Sequence, residues 1–353
     1  CPMNFHKLLI MTFLTVLAAS CGNGKTRTIG LFDIEIGNEK RRFVTSETVK
    51  VQLKNKKNLA VTSVTYFLNE KEVVTVNGNT ASKIPLAKLK LGTQIIKAEI
   101  THEDGVEDEY ASLTVVSSIK PKLYGYKILE TYPHDMNAYT QGLEFFGDDL
   151  YESTGRYKKS SLRKVDLKTG KVLQKTELDP QYFGEGLTIL NDNIYQLTWK
   201  ENVGFIYDKE TLEKKGQFAY ASSKEGWGLC NDGTHIYKSD GSEKIWTLDG
   251  ATQKEISHIE VYTNTSKIDT INELEFVEGH IYANIYQKDA IAIVDPKNGA
   301  VQGVINLKGL KDKVTQHATL DVLNGIAYKG EPNILYITGK NWDKVFKIEV
   351  IEK

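Results

Sequence analysis

A single glutamate among large aromatic residues is the strongest candidate for chemistry in this sequence. Glu185 follows Phe183 and stands between two glycines, and Trp199 comes fourteen residues later. Burial among aromatic rings raises the pKa of a carboxyl group, which can then both accept and return a proton near neutral pH. Such a group suits a reaction whose nucleophile and electrophile both belong to the substrate, because the substrate's own geometry supplies the effective concentration.

The position of Glu185 recurs along the chain. Gln141, Trp227, Asn272 and Asn324 stand at equivalent places, with successive spacings of 44, 42, 45 and 52 residues. A tyrosine follows each of these positions by ten residues, or by twelve in the last copy, and an acid closes a later apolar stretch. These uniform residues are Tyr151, Tyr195, Tyr237, Tyr282 and Tyr336, with Asp166, Asp208, Asp249, Asp295 and Glu349. Five copies at this period indicate a repeat architecture.

Each copy predicts four short antiparallel strands. Turns of Asp, Gly and Asn type separate them, as at 191–193, and four strands in roughly 45 residues are typical of a β-propeller blade. The fifth copy ends after its third strand, and the segment 126–132 at the start of the region can supply the fourth, which would leave no open sheet edge. The sequence therefore predicts an all-β fold with a five-bladed β-propeller over 123–353.

The earlier part of the chain divides into three predicted segments. Residues 1–21 combine a short apolar run with small residues before Cys21, which resembles a bacterial lipoprotein signal with Cys21 as the lipidated residue. Ala18 stands where that motif usually has leucine, so simple secretion remains an alternative. Alternating strands over 22–118 favour an immunoglobulin-like β-sandwich serving as a spacer or docking module, and 119–122 reads as a linker. We expect a membrane-anchored lipoprotein of the cell envelope, periplasmic or surface-exposed.

The propeller prediction brings the repeat positions together. First strands line the axis of a propeller, and the end of each second strand lies on the same face as the start of the first. The predicted axial mouth comprises Gln141, Glu185, Trp227, Asn272, Asn324, Trp199, Tyr286 and Lys340, flanked by Phe183 and Tyr139. Gly155 and Gly241 fall in the same ring and would leave room for a ligand's backbone. Any one of these residues could simply cap a strand or pack between blades. However, the mouth position varies while the tyrosine and acid positions do not, which favours a site built on a scaffold.

Several other function classes lack support. The net charge of -1 gives no basic surface for nucleic acid. No serine or cysteine stands beside a histidine in a recognisable nucleophile motif, and the seven histidines and three cysteines are too scattered for a metal site. Glycoside cleavage would need a second acid beside Glu185.

Motifs along 123–353 resemble the plant and bacterial type of glutaminyl cyclase, the glutamine cyclotransferase family. The matching segments are Tyr132-Pro133-His134-Asp135, Thr140-Gln141-Gly142-Leu143, Phe183-Gly184-Glu185-Gly186, Leu197-Thr198-Trp199-Lys200, Glu225-Gly226-Trp227-Gly228-Leu229, Asn272-Glu273-Leu274-Glu275 and Thr338-Gly339-Lys340-Asn341-Trp342. The resemblance implies a five-bladed propeller that converts N-terminal glutamine to pyroglutamate and ammonia without catalytic zinc. Its substrates would be peptides or proteins with N-terminal glutamine.

The resemblance also implies roles for individual residues. Glu185 would be the proton shuttle; Gln141, Asn272 and Lys340 would hold the substrate amide and the developing oxyanion; Phe183, Trp199 and Trp227 would wall the pocket. Tyr139 stands where the family usually has phenylalanine and Tyr286 where it usually has tryptophan, which bears on substrate preference or rate. No cofactor is required, and related structures suggest a structural calcium ion, although no acidic loop here specifies one.

Two alternatives to catalysis remain at this stage. A catalytically silent propeller could bind peptide N-termini or glycans at the same mouth. A structural scaffold of the envelope could act through the N-terminal sandwich instead. Ammonia release from a glutaminyl peptide separates the enzyme from both, and peptide binding separates the two alternatives from each other.

Overall fold

The computed structural model describes residues 30–37 and 41–353. The predicted signal segment 1–21, with Cys21, lies outside the described residues. The described part is all-β, as predicted, and its one helical element is the 3-10 turn Lys311–Lys313. None of its helical structure is long and apolar enough to cross a membrane.

The first eight strands form two sheets over one apolar core. A three-stranded sheet has the order β1-β3-β6 and a five-stranded sheet the order β2-β8-β7-β4-β5. In β7, side chains alternate between buried and exposed or partly exposed positions, as expected for a strand with one face on a core. The strands are β1 (Phe32–Ile36), β2 (Arg42–Phe43), β3 (Thr48–Asn55), β4 (Val61–Leu68), β5 (Lys71–Asn77), β6 (Ser82–Pro85), β7 (Gly92–His102) and β8 (Gly105–Val115). Tyr262 and Ala300, from the later part of the chain, pack into the same core.

The remaining strands form five consecutive sets after β9 (Lys122–Pro133), which begins at the last residue of the predicted linker. The first two sets are β10 (Thr140–Phe146), β11 (Asp149–Thr154), β12 (Ser161–Val165), β13 (Val172–Glu177), and β14 (Gly184–Leu190), β15 (Asn193–Thr198), β16 (Val203–Asp208), β17 (Lys214–Ala219). The third is β18 (Leu229–Asn231), β19 (His235–Ser239), β20 (Lys244–Asp249), β21 (Glu255–Glu260). The last two are β22 (Ile271–Val277), β23 (His280–Ile285), β24 (Ala290–Val294), β25 (Val301–Asn306), and β26 (Leu323–Ala327), β27 (Ile334–Gly339), β28 (Lys344–Glu352).

Strand β9 completes the fifth set. It pairs antiparallel with β28 from Pro133 back to Tyr124, so the predicted pairing of the two ends of this region is present. The first residues of β9 also pair in parallel with β25, where Lys122 lies opposite Gly303. The fourth and fifth sets are therefore one eight-stranded sheet. The sequence predicts a separate four-stranded sheet for each copy, because the closing strand is expected to begin at 126, whereas β9 begins four residues earlier.

The first strands of the five sets pack around one axis. β10 contacts β14, β14 contacts β18, β18 contacts β22, β22 contacts β26, and β26 contacts β10 again. Glycine makes this close approach feasible: a Cβ on Gly142 would lie 2.5 Å from the backbone nitrogen of Leu187, and one on Gly186 would lie 2.6 Å from Gly228 Cα. Apolar clusters fill the space between neighbouring sets all the way round.

Candidate active site

Irregular pairing presents the repeat residues to the axis. The first strand of four sets pairs with the second strand through a shift in register. In β10, β14, β22 and β26 this shift falls at the repeat position, at Gln141, Glu185, Asn272 and Asn324 respectively. A bulge of this kind interrupts the alternation of a strand and re-aims its side chain. In the third set the equivalent Trp227 lies just before β18, and its backbone N–H donates to the carbonyl of Ser239 at 3.1 Å.

A cavity of about 240 Å³ opens at the repeat positions. Its lining residues are Tyr139, Gln141, Arg156, Phe183, Glu185, Trp199, Trp227, Asn272, Tyr286 and Lys340. The structure thus brings together all but one of the residues that the sequence nominated, and it adds Arg156.

Glu185 lies at the buried end of this cavity and is 6% exposed. Burial raises the pKa of its carboxyl group well above the usual value, and the nearby Lys340 opposes that rise while Glu225 and Glu201 add to it. Gln141 Nε2 donates to Glu185 Oε1 at 3.2 Å. Burial in turn lowers the pKa of Lys340, against the effect of Glu185. The cavity therefore holds a carboxyl group that keeps its proton to a higher pH than an exposed glutamate does.

Asn324 is the nominated residue that the cavity does not include. Its Nδ2 donates to the backbone oxygen of Thr140 at 3.0 Å and to Gln141 Oε1 at 3.3 Å. Asn324 therefore lies behind Gln141, and its amide nitrogen is used within the protein. The repeat period places Asn324 correctly around the axis, but it does not predict how deeply each side chain sits.

Two tryptophans in the wall share one acceptor. Trp199 Nε1 donates to Glu225 Oε2 at 2.7 Å, and Trp227 Nε1 donates to the same oxygen at 2.9 Å. Phe183 meets Trp199 edge-on with ring centroids 5.6 Å apart, and Trp227 meets Tyr286 in the same way at 5.6 Å. The sequence analysis missed Glu225, although it lies in the same motif as Trp227, two residues earlier.

Gly155 and Gly241 do not leave room for a ligand's backbone, contrary to the expectation from the sequence. A Cβ on Gly155 would lie 2.4 Å from the ring of Phe183, and one on Gly241 would lie 2.4 Å from the ring of Trp227. The space that these glycines free is thus filled by the aromatic wall itself. The absence of a side chain at Gly155 and Gly241 lets these two rings pack closely against the backbone after β11 and β19.

Comparison with known proteins agrees with the resemblance seen in the motifs. A family model described as glutamine cyclotransferase matches residues 105–350. The chain belongs to the glutamine cyclotransferase family. It is 41% identical over 227 residues to a glutaminyl-peptide cyclotransferase of Arabidopsis thaliana, covering 64% of this chain and 71% of the relative. The crystal structure of Myxococcus xanthus glutaminyl cyclase matches with a TM-score of 0.62 and 30% identity, over 66% of this chain and all of that one.

Tyr139 and Tyr286 are the two wall positions at which the sequence analysis expects a departure from the family pattern. The Tyr139 hydroxyl donates to Asp321 Oδ2 at 2.7 Å, so the extra oxygen is held by a carboxylate. The guanidinium of Arg156 stacks on the Tyr139 ring at 3.9 Å, and Lys340 Nζ lies 4.9 Å from the same ring. Tyr286 keeps an aromatic edge against Trp227. Both tyrosines therefore contribute an aromatic ring to the wall.

Metal binding has no acidic ligand set in the described residues. Across 30–37 and 41–353 there is no group of three or more His, Cys, Asp or Glu side chains that could hold a metal ion. The four aspartates that close third strands, Asp166, Asp208, Asp249 and Asp295, instead accept hydrogen bonds within their own turns, as Asp166 does from Thr169 N at 2.7 Å. The residues described here thus do not fit a calcium site built on acidic side chains, and no step of the chemistry is assigned to a metal.

Proposed function

We propose that this chain is a glutaminyl-peptide cyclotransferase that converts N-terminal glutamine to pyroglutamate and releases ammonia. The observation that carries the proposal is the buried Glu185 carboxyl, with its raised pKa, in an aromatic cavity beside Gln141 and Lys340. Membership of the glutamine cyclotransferase family supports the same reaction. Peptides or proteins with N-terminal glutamine are the substrates, and no cofactor is required.

Glu185 moves one proton during the cyclisation. The neutral α-amine of the substrate attacks its own γ-carbonyl carbon, a new C–N bond closes the ring, and Glu185 takes a proton from the attacking nitrogen. The carboxyl group then returns that proton to the γ-amide nitrogen as the C–N bond to it breaks, and ammonia leaves. Since Glu185 ends as it began, the step needs no other reactant.

The polar groups around Glu185 hold the reacting amide. Asn272 Oδ1 is buried and has no hydrogen-bond partner within the described residues, so it can accept an N–H of the substrate. Lys340 and the amide of Gln141 can donate to the oxyanion that develops on the γ-carbonyl oxygen. Phe183, Trp199 and Trp227 exclude water and pack against the methylene groups of the glutamine, with Tyr139 and Tyr286 completing the wall.

The fold that we propose for this site is a five-bladed β-propeller over 123–353, preceded by an immunoglobulin-like sandwich over 22–118. Four-stranded antiparallel sets, closed contacts among their first strands and the β9–β28 pairing support the propeller. Two sheets over a common core support the sandwich. The linker at 119–122 stays a prediction.

An envelope location also stays a proposal. It depends on the sequence pattern of a signal segment over 1–21 with Cys21 as a lipidated cysteine, which would anchor the enzyme to a membrane. Cys21→Ser tests it: we expect the protein to leave the membrane fraction, and retention there would contradict a lipid anchor.

Ammonia release from a glutaminyl peptide tests the catalytic proposal. We expect the wild type and the exposed control Glu213→Gln to convert the peptide, and Glu185→Gln to lose about 10²–10⁴ in kcat, which is the usual contribution of a general acid–base group. Wild-type protein that binds the peptide without releasing ammonia would favour the alternative, a non-catalytic module for peptide N-termini or glycans. A wild-type protein that neither binds nor converts the peptide would contradict both the cyclotransferase and a peptide-binding module.

A further inference from the structure

The cavity has a buried floor and an exposed rim of different chemistry. Glu185 and Gln141 are buried at the floor, whereas Arg156, in the turn after β11, is exposed and lines the same cavity. When the N-terminal glutamine of a substrate reaches Glu185, the second residue of that substrate must extend towards the rim of the cavity. Arg156 therefore lies on the side from which the second residue of the substrate leaves the cavity.

Arg156 is held in place before any ligand binds. Its guanidinium stacks on the ring of Tyr139 at 3.9 Å, and the hydroxyl of Tyr139 is itself held by Asp321. The backbone oxygen of Arg156 accepts from Lys159 N at 3.0 Å and from Ser160 Oγ at 2.8 Å, which fixes the turn. A cation that is already ordered loses little conformational entropy when it binds a ligand.

The guanidinium of Arg156 has no ion-pair partner in the part of the chain that the structure describes. Among the described residues no carboxylate lies within ion-pair distance of its guanidinium. Three other acids close to the cavity residues accept hydrogen bonds from aromatic side chains: Asp321 from Tyr139, Glu201 through Oε1 from Tyr157, and Glu225 from the two indoles. The rim thus presents an ordered, uncompensated cation to whatever follows the glutamine.

We propose that Arg156 makes this enzyme prefer an anionic group on the residue that follows the N-terminal glutamine. This proposal rests on the proposed cyclotransferase function and adds a substrate class to it. The group recognised is a carboxylate, which forms paired hydrogen bonds with a guanidinium. It can come from an acidic side chain at the second position or from the C-terminus of a dipeptide.

Competing substrates test the preference and separate the two sources. The amidated dipeptides Gln-Glu, Gln-Gln and Gln-Lys differ in side-chain charge at the second position, and Gln-Gly with a free or an amidated C-terminus differs in the terminal carboxylate. We expect kcat/KM to be about fivefold higher for Gln-Glu than for the isosteric Gln-Gln, the scale of a partly exposed ion pair. A higher kcat/KM for Gln-Gly with a free C-terminus than for its amide would show that the enzyme also recognises the terminal carboxylate. The preference should decrease at high ionic strength.

Three variants assign the preference to Arg156. In Arg156→Gln we expect the Gln-Glu to Gln-Gln ratio to fall to about one, and in Arg156→Glu we expect Gln-Lys to become the better substrate. Lys159→Gln removes a positive charge from the same turn outside the cavity lining and should keep the wild-type ratio. Equal kcat/KM for all peptides in the wild type, or a ratio that survives Arg156→Gln, would overturn the proposal. A wild type that cyclises none of the peptides would instead contradict the proposed function.

Discussion

Gln141 donates to the carboxyl group of Glu185 at 3.2 Å, although the two residues are separated by 44 positions in the chain. The distance between them in sequence is one repeat, so the contact joins equivalent positions of neighbouring strand sets. The orientation of the Gln141 amide follows from Asn324, whose Nδ2 donates to Gln141 Oε1 at 3.3 Å. Three repeat positions therefore form one chain of hydrogen bonds that ends on the proposed proton shuttle.

Asn324→Ala should impair turnover without removing any group from the cavity. The substitution takes away the donor that holds Gln141 Oε1, so Gln141 can turn its amide away from Glu185. We expect kcat to fall about 10- to 100-fold, the scale of a small misplacement of a catalytic group, with a smaller change in KM. Steady-state kinetics on a Gln dipeptide measures both, and thermal unfolding confirms that the variant is folded.

A double-mutant cycle shows whether Asn324 acts through Gln141. If it does, Asn324→Ala adds little further loss of kcat in a Gln141→Ala background, because the interaction that it supports is already gone. Fully additive losses in kcat would mean that Asn324 affects the reaction by another route.

Much of this site could be predicted from the repeat. A fixed period places equivalent residues around the axis, which is why Glu185, Trp227 and Asn272 line one cavity. The repeat period does not show how far each side chain lies from the cavity. It therefore could not distinguish Gln141, which lines the cavity, from Asn324, which lies behind Gln141. It also missed Arg156, an exposed residue with a left-handed backbone, φ 95°, in a turn that the repeat does not constrain.

The rest of the fold also divides into features that the local sequence predicts and features that it does not. Strand type and turn chemistry follow from local sequence, and the pairing of β9 with β28 follows from a missing strand at the end of the chain. The parallel pairing of β9 with β25 depends on where β9 enters the region, which no local signal specifies. Likewise the sequence predicts space for a ligand at Gly155 and Gly241, because it does not specify that the rings of Phe183 and Trp227 fill this space.

The pH dependence of kcat/KM should respond in opposite directions to two neighbouring charges. Burial raises the pKa of Glu185, Lys340 lowers it, and Glu225 raises it further. Because the base must be deprotonated, activity rises as the pH increases through this pKa. We expect Lys340→Met to move the acid limb of the profile to higher pH and Glu225→Gln to move it to lower pH.

The substrate amine also titrates on the acid side, so the comparison uses one peptide throughout and reads only the shift from wild type. The exposed Glu213→Gln serves as the control and should leave the limb in place. Acid limbs that coincide in all the variants would show that Glu185 is not the group being titrated.

Truncating Glu225 should loosen the aromatic wall. In Glu225→Ala the indole nitrogens of Trp199 and Trp227 both lose their acceptor. An N–H left without a partner away from water costs about 1–3 kcal/mol, so the rings are expected to reorient and the KM for glutaminyl peptides to rise severalfold. Since the chain has only 4 tryptophans, the intrinsic fluorescence should shift as well.

Glu225→Gln separates geometry from charge at this position. Its side-chain oxygen can still accept from the indoles, so the KM and the fluorescence should stay close to wild type while the acid limb moves. If alanine and glutamine behave alike, the shared acceptor does not hold the wall.

The half-buried Glu144 and the buried Glu273 and Glu275, all on first strands, should make the folded state less stable as the pH rises. Burial raises the pKa of Glu144 to about 7, and it raises the pKa values of Glu273 and Glu275 in the same direction. A group whose pKa is higher in the folded state contributes stability that is fully present below its unfolded pKa and is lost as the pH rises through the folded one. We therefore expect Glu144 to lower the free energy of unfolding between about pH 4.5 and pH 7, and Glu273 and Glu275 to lower it further as the pH rises through their own raised pKa values.

Glu144→Gln should flatten this decline, because glutamine stays neutral and its side-chain oxygen can still accept from the backbone N–H of Ile189, as Glu144 does at 3.0 Å. The shift of the Glu144 pKa from 4.5 to about 7 corresponds to about 3 kcal/mol, so the variant should gain up to that much relative to wild type at alkaline pH. Urea unfolding across this pH range measures the slope, with Glu213→Gln as the exposed control. If the free energy of unfolding changes with pH in the same way in wild type and in Glu144→Gln, the pKa of Glu144 is the same in the folded and unfolded states. That result would contradict the raised pKa.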